Sequence, residues 1–219
     1  MVPSLETERL TLRPWRQADL EPFAAYYADP VTAAFVGGTC SRNSAWHRMA
    51  AFAGHWSLRG YGYWALEEKS TGQFVGYAGL WFPEGWPEPE VGWGLLKTAH
   101  GKGYATEASL RAREYGYSNV GFKTLISFID LRNSASRAVA ERMGAKYEST
   151  GMLFGSKAGI FRHPRTGIAA DVDPPPMKWS DLRHGPATRG GLSWRREVPR
   201  LVFAYGSSDA LRLDGQEAQ

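Results

Sequence analysis

The residues best placed to do chemistry lie in one stretch, Glu90-Val-Gly-Trp-Gly-Leu-Leu-Lys-Thr-Ala-His-Gly-Lys-Gly-Tyr-Ala-Thr-Glu-Ala108. Gly101 and Gly103 flank Lys102 just before a helical pattern that begins near Ala105. Glycine has no Cβ, so backbone there can turn sharply and present successive N–H groups. Together with the unpaired amides of the helix start, those donors form a seat for phosphate oxygens, unless the glycines serve only a tight turn. At the other end of the stretch, Glu90 opens a strand-like run. A carboxylate there reads, on its own, as a solvated strand-start charge.

The spacing separates this loop from two commoner phosphate motifs. Lys102 lies between the glycines, with no Gly-Lys-Ser/Thr four residues after a first glycine, so it is not a P-loop. Thr106 stands where a dinucleotide fingerprint needs a third small residue. No Gly-x-Ser-x-Gly elbow offers a nucleophilic serine. The five histidines and single Cys40 show no metal-ligand spacing, so no metal site is expected.

The elements that must position these residues follow from periodicity. Leu10-Thr-Leu-Arg-Pro14 alternates as a half-buried strand. Asp19 is a candidate N-cap for a helix over Leu20 to Ala28, and Asp29-Pro30 ends it. A short second helix runs to Phe35, and Ser41 to Ser44 caps a third over Ala45 to Leu58. Tyr63 to Glu67 and Gln73 to Trp81 read as hairpin strands, and the Pro-rich loop from Pro83 to Pro89 leads into the Glu90 strand. A helix from Ala105 to about Asn119 precedes an apolar run, Thr124 to Ile129, typical of a buried parallel strand. Asn133 or Ser134 caps a helix ending at Gly144, and strand character resumes from Ala145 to Met152. Leaving out the short second helix, the order expected is β-α-α-β-β-β-α-β-α-β, a mixed α/β fold with a β-α-β unit at its centre.

Within that order, His100-Gly-Lys-Gly103-Tyr-Ala105 resembles the acyl-CoA pyrophosphate loop of the GCN5-related N-acetyltransferases (GNATs), Gln/Arg-x-x-Gly-x-Gly/Ala, with His100 as a departure. Glu90-Val-Gly-Trp93 resembles the start of that family's CoA strand, and Thr7-Glu-Arg-Leu-Thr-Leu-Arg-Pro14 its opening strand. Gly72-Gln-Phe-Val-Gly-Tyr-Ala-Gly79 is similar to its central hairpin, and Asn133-x-x-Ser136-x-x-Val139-x-Glu141-x-x-Gly144 to its last helix. The run Gly-Lys-Gly-Tyr-Ala-Thr-Glu-Ala looks like the RimJ/RimL branch, which acetylates protein N-termini. The resemblance spans roughly Leu5 to Pro164.

It implies a mixed, mostly antiparallel sheet with a central parallel β-α-β unit that binds acyl-CoA, flanked by helices. It also implies acetyl-CoA as donor and an amine acceptor, either a protein N-terminus or a small molecule such as an aminoglycoside or polyamine. The family pairs pantetheine with backbone at the positions of Trp93, Gly94, Leu95 and Leu96. It seats pyrophosphate on the amides of Gly101, Lys102, Gly103, Tyr104, Ala105 and Thr106, where His100 and Lys102 either contact phosphate or only pack and face solvent. Asn133 matches a residue beside the pantetheine arm, with helix capping as its other role. Glu90 would take the amine proton through water. Ala140 replaces the tyrosine that many relatives use to protonate the thiolate, which leaves Ser136 or water for that step. The same departure also fits a non-catalytic acyl-CoA sensor.

The remaining sequence sets wider bounds. Over 219 residues, 43% hydrophobic content permits a sizeable core, and net charge +4 with pI near 9.2 suits an anionic ligand or RNA and ribosomal surroundings, or reflects only an arginine-rich composition. No block of basic residues marks a nucleic-acid arm, so direct nucleic-acid binding is not expected. No secretory leader or membrane-length apolar run is visible, and one cysteine suits a reducing compartment, so a cytoplasmic protein, monomer or homodimer, is expected. The acetyltransferase domain is assigned to residues 1–164. Residues 165–219, with the stiff Asp171-Val-Asp-Pro-Pro-Pro176 linker, form an extension expected to be flexible or loosely docked.

Overall fold

The computed structural model describes residues 2–153 and 156–165. The extension lies outside the described residues except for Arg165. Among these residues eight strands form one sheet in the order β1-β2-β3-β4-β5-β6-β8-β7: β1 (Leu5–Glu6), β2 (Leu10–Arg13), β3 (Tyr63–Glu68), β4 (Gln73–Trp81), β5 (Glu90–Leu95), β6 (Ile126–Ile129), β7 (Lys146–Leu153) and β8 (Ser156–Arg162). All neighbours pair antiparallel except β5 and β6, which are parallel. Among the described residues five α-helices flank it: α1 (Leu20–Ala28), α2 (Pro30–Ala33), α3 (Arg42–Arg59), α4 (Tyr104–Tyr115) and α5 (Ser134–Arg142).

Both faces of the sheet are covered, as the alternation within β3 demands. Trp64 and Leu66 enter a cluster with Leu80, Val91, Ala108 and Ala112 on the α4 side. Tyr63 and Ala65 enter a second cluster with Phe23, Tyr27, Met49 and Tyr77 on the α1–α3 side. Burial on both faces pins strand register, because a slip of one residue would exchange the two sets.

The structure amends the expected elements in four places. Asp19 does not cap α1: its carboxylate takes Arg13 Nη1 and Nη2 at 2.8 and 2.7 Å and the Arg16 N–H at 2.7 Å, so it anchors the preceding turn. The central helix stops at Tyr115 and widens into a π turn over Gly116–Val120, ending at Gly121 with φ 81°. β1 and β8 were not anticipated; β1 is only two residues long. In β8, Gly159 weakens the strand pattern of Ser156–Arg162, yet β8 pairs along its length with β7 and, over Gly159–Arg162, with β6 as well.

Candidate active site

β5 brings the reacting groups together because two of its residues have no side chain. Glu90, Gly92 and Gly94 share one face of the strand. A Cβ on Gly92 would lie 2.4 Å from the Tyr63 hydroxyl, and one on Gly94 would lie 2.5 Å from the Tyr77 ring. The tyrosines of β3 and β4 therefore fold over the space the glycines leave. Val91 and Leu95, on the other face, pack under α4.

β5 and β6 meet only at Glu90↔Ile126 and then diverge. Side chains take over where the ladder ends. The Ile126 N–H still donates to Pro89 O, but the Phe128 N–H donates to Glu90 Oε1 at 3.2 Å. Ser127 Oγ donates to Val91 O at 2.5 Å and accepts from His163 Nε2 at 2.9 Å. Trp86 Nε1 donates to Glu90 Oε2 at 2.8 Å. Burial of Glu90 at the root of the fork pushes its carboxyl up to about 7, against the lowering pull of the two donors. A carboxyl titrating there is matched to proton uptake at neutral pH.

Beyond the fork lies a cleft of about 750 Å³ between the start of α4, the inner face of α5 and the α1–α2 turn. Gly101 (φ 75°) and Gly103 (φ 81°) adopt the left-handed conformation that an L side chain resists, and Gly103 starts α4 with no side-chain cap. The free amides of this helix end open onto the cleft, where the helix dipole favours an anion. Arg142, in the last turn of α5, adds a fixed positive charge beside them; its Nε lies 3.3 Å from Thr106 Oγ1. Backbone donors, a helix dipole and a guanidinium fit a pyrophosphate-bearing donor such as acetyl-CoA.

Of the residues singled out from the sequence, Trp93, Gly94, Leu95, His100, Gly101, Gly103, Tyr104, Ala105, Thr106, Asn133 and Ser136 line this cleft. Leu96, Lys102 and Glu90 are not among its lining residues. The Leu96 N–H is held by Val75 O at 3.0 Å, and Lys102 Nζ reaches Glu68 at 3.4 Å on the outer side of the loop. His100 is tied through Nε2 to Leu95 O at 3.0 Å, bracing the turn into the loop. Asn133 caps α5 by accepting the Ser136 N–H at 3.0 Å. Glu84, Glu88 and Glu90 are close in sequence, yet they do not gather into an acidic patch that would draw a polycationic acceptor. Glu84 is fully exposed opposite Arg59, Glu88 accepts a two-point contact from Arg162 at 2.9 and 3.0 Å, and Glu90 is buried. Trp56, Tyr61, Tyr63 and Trp64 are core residues, and Trp86 serves as a donor to Glu90.

Sequence reasoning missed Arg142 and the α1–α2 wall of Tyr26, Val31, Thr32, Phe35 and Val36. Arg142 was within reach of it: Ala135, Ala138, Val139 and Arg142 follow helical spacing along one stripe of α5. The α1–α2 wall carries no local motif.

Comparison with known proteins agrees with this geometry. The model of the acetyltransferase (GNAT) domain matches residues 9–146. This chain belongs to the GNAT acetyltransferase family. An uncharacterized Bacillus subtilis protein, YkkB, is 31% identical over 155 residues, covering 67% of this chain and 87% of the relative. An uncharacterized N-acetyltransferase of the same organism, YoaA, is 26% identical over 68% of this chain and 85% of its own length. The crystal structure of an Agrobacterium tumefaciens acetyltransferase superposes with a TM-score of 0.71 at 31% identity, covering 75% of this chain and 96% of that one. Among the GNAT chain's described residues, no helix is long and apolar enough to cross a membrane.

Proposed function

We propose that the chain transfers an acetyl group from acetyl-CoA to a primary amine by direct attack, with donor and acceptor bound together, and that the acceptor is the α-amine of a protein N-terminus or a small amine of similar basicity. One observation carries this reading: two left-handed glycines and an uncapped helix start open onto the same cleft as the diverging edge of β5. In this reading acetyl-CoA supplies the activated thioester. The amides of residues 101–106 and Arg142 hold the phosphates, and Trp93, Gly94 and Leu95 guide the pantetheine arm along the β5 edge with Asn133 facing it. The new C–N bond forms as the C–S bond breaks. Glu90 receives the amine proton through an intervening water, because it lies behind the cleft wall. Ser136, on the cleft wall, or water returns a proton to the departing sulfur.

The acceptor preference follows from proton supply and from the wall. An α-amine of pKa about 7.8 is roughly one-third neutral at pH 7.5, whereas a lysine near 10.4 is about 0.1% neutral. A buried carboxyl near 7 suits the first and is a weak base for the second. Among the described residues lining the cleft none is acidic, Arg142 is cationic, and Val31 and Phe35 are 61% and 42% exposed on its apolar rim. That surface favours an amine flanked by uncharged groups over a polycationic aminoglycoside or polyamine. The Gly101-Lys-Gly-Tyr-Ala-Thr-Glu-Ala108 run and Asn133-x-x-Ser136 further support the RimJ/RimL-like reading.

The test is a melting curve with acetyl-CoA, followed by an acceptor screen that reads thiol release. Acetyl-CoA should raise the melting temperature, and short peptides with free N-termini should release thiol faster than spermidine or kanamycin. No thermal shift at millimolar acetyl-CoA sinks the donor assignment. Binding with no turnover on any amine indicates the sensor role instead.

A further inference from the structure

We propose that Arg9 is a positioning residue for the phosphate seat: from outside the cleft it fixes the Lys102–Gly103 peptide so that the Gly103 N–H turns toward the donor. The proposal rests on the acyl-CoA reading of the cleft. Arg9 lies in the turn between β1 and β2, far in sequence from the loop it touches. Its Nε donates to Glu107 Oε2 at 2.7 Å, its Nη2 lies 2.6 Å from the same oxygen, and its backbone N–H donates to Glu107 Oε1 at 2.8 Å. Thr7 Oγ1 donates to Glu107 Oε1 at 2.6 Å, so Glu107 holds the whole turn against the first part of α4. With the guanidinium oriented in this way, Nη1 reaches Lys102 O at 2.8 Å.

The peptide group transmits that contact. It is planar, and none of the described peptide bonds is cis, so a carbonyl and the N–H that follows it point in opposite directions. Lys102 O points outward to Arg9, and neither residue is among those lining the cleft; Gly103 is. The Gly103 N–H therefore points away from Arg9, into the phosphate seat. The remainder of the outer surface is braced as well: the Arg9 guanidinium lies 4.8 Å from the centre of the Tyr104 ring, whose hydroxyl donates to Glu68. A lysine could keep an ion pair with Glu107, but it cannot hold two carboxylate contacts and a carbonyl in one plane.

The deciding experiment compares wild type, Arg9→Lys and Glu107→Gln with two donors, acetyl-CoA and acetyl-pantetheine, which lacks the pyrophosphate. In both variants the affinity for CoA should fall roughly tenfold and KM for acetyl-CoA should rise to match, as for loss of one charge-assisted contact. At the same time kcat, and kcat/KM for acetyl-pantetheine, should stay within about twofold. The melting temperature of Arg9→Lys without ligand should stay within about 2 °C of wild type, as for a partly exposed ion pair. Unchanged CoA affinity in Arg9→Lys overturns the proposal. So does an equal loss with both donors or a collapse in melting temperature, either of which marks a merely structural role. Wild type that binds no CoA overturns the reading of the cleft itself, and the role of Arg9 with it.

Discussion

The indole N–H of Trp86 donates to Glu90 Oε2 at 2.8 Å, so a residue of the Pro-rich loop lowers the proton affinity of a carboxylate at the root of the β5–β6 fork. Phe128, on the facing strand, supplies the other donor. Both donors favour the ionised carboxylate, yet burial outweighs them and leaves the group near 7.

Glu90 consequently carries a pH signature in stability as well as in rate. Unfolded it titrates near 4.5, and folded near 7. Between those values the folded chain holds the extra proton, so this group's contribution to stability falls as pH rises through the window and is lowest above it. Glu90→Gln removes the charge and should gain on wild type between pH 5 and pH 8, by on the order of 2–3 kcal/mol at most. Urea unfolding at the two pH values measures this, and an equal difference at both refutes it. In kcat/KM, wild type should rise through a limb near pH 7 that the variant lacks.

Gly92 and Tyr63 offer a test of how β5 is packed. A methyl on Gly92 meets the Tyr63 hydroxyl at 2.4 Å and its ring carbon Cζ at 3.2 Å. Gly92→Ala should therefore cost about 1–3 kcal/mol, and adding Tyr63→Phe should recover much of it. Gly94→Ala meets ring carbons of Tyr77 at 2.5 and 2.6 Å, and removing that hydroxyl should not rescue it. Melting temperatures of the single and double variants distinguish these outcomes.

Arg142 stands beside the start of α4 in the cleft, and its charge should be read by the donor's phosphates. Arg142→Gln should weaken CoA binding by roughly tenfold at low salt. The difference from wild type should shrink as ionic strength rises, because part of the lost term is screened. Titration calorimetry at two salt concentrations checks it, and a salt-independent loss indicates packing instead.

Much of the fold was legible because its signals are local. Gly101 and Gly103 announce a turning loop, and apolar runs bounded by turn residues mark β3, β4 and β6. In α3 the apolar spacing finds the helix but not its face, since Trp46 is 42% exposed while Ala45 is buried. The sheet order was less accessible. Gly159 disguises β8, and nothing in residues 156–162 tells that they pair with β6 as well as with β7. Glu90 could be picked out as a carboxylate at a strand start, but its burial depends on Trp86 and Phe128, one from a loop and one from another strand. Arg9 was invisible as a partner of Lys102 because 93 residues separate them. Long-range polar contacts of this kind have no periodicity to reveal them.

The placement of β8 between β6 and β7 has a consequence for how the chain is made. β6 touches the rest of the sheet through a single bridge to β5, and its only full ladder is with β8. A ribosome that has not yet released Ser156–Arg162 leaves β6 and β7 as two unsatisfied edges, each a template for stray pairing. Among the described residues, the half of the molecule that carries Phe128, the second donor to Glu90, is thus the last to be closed during synthesis, and a premature stop between β7 and β8 should yield aggregate rather than a weaker enzyme.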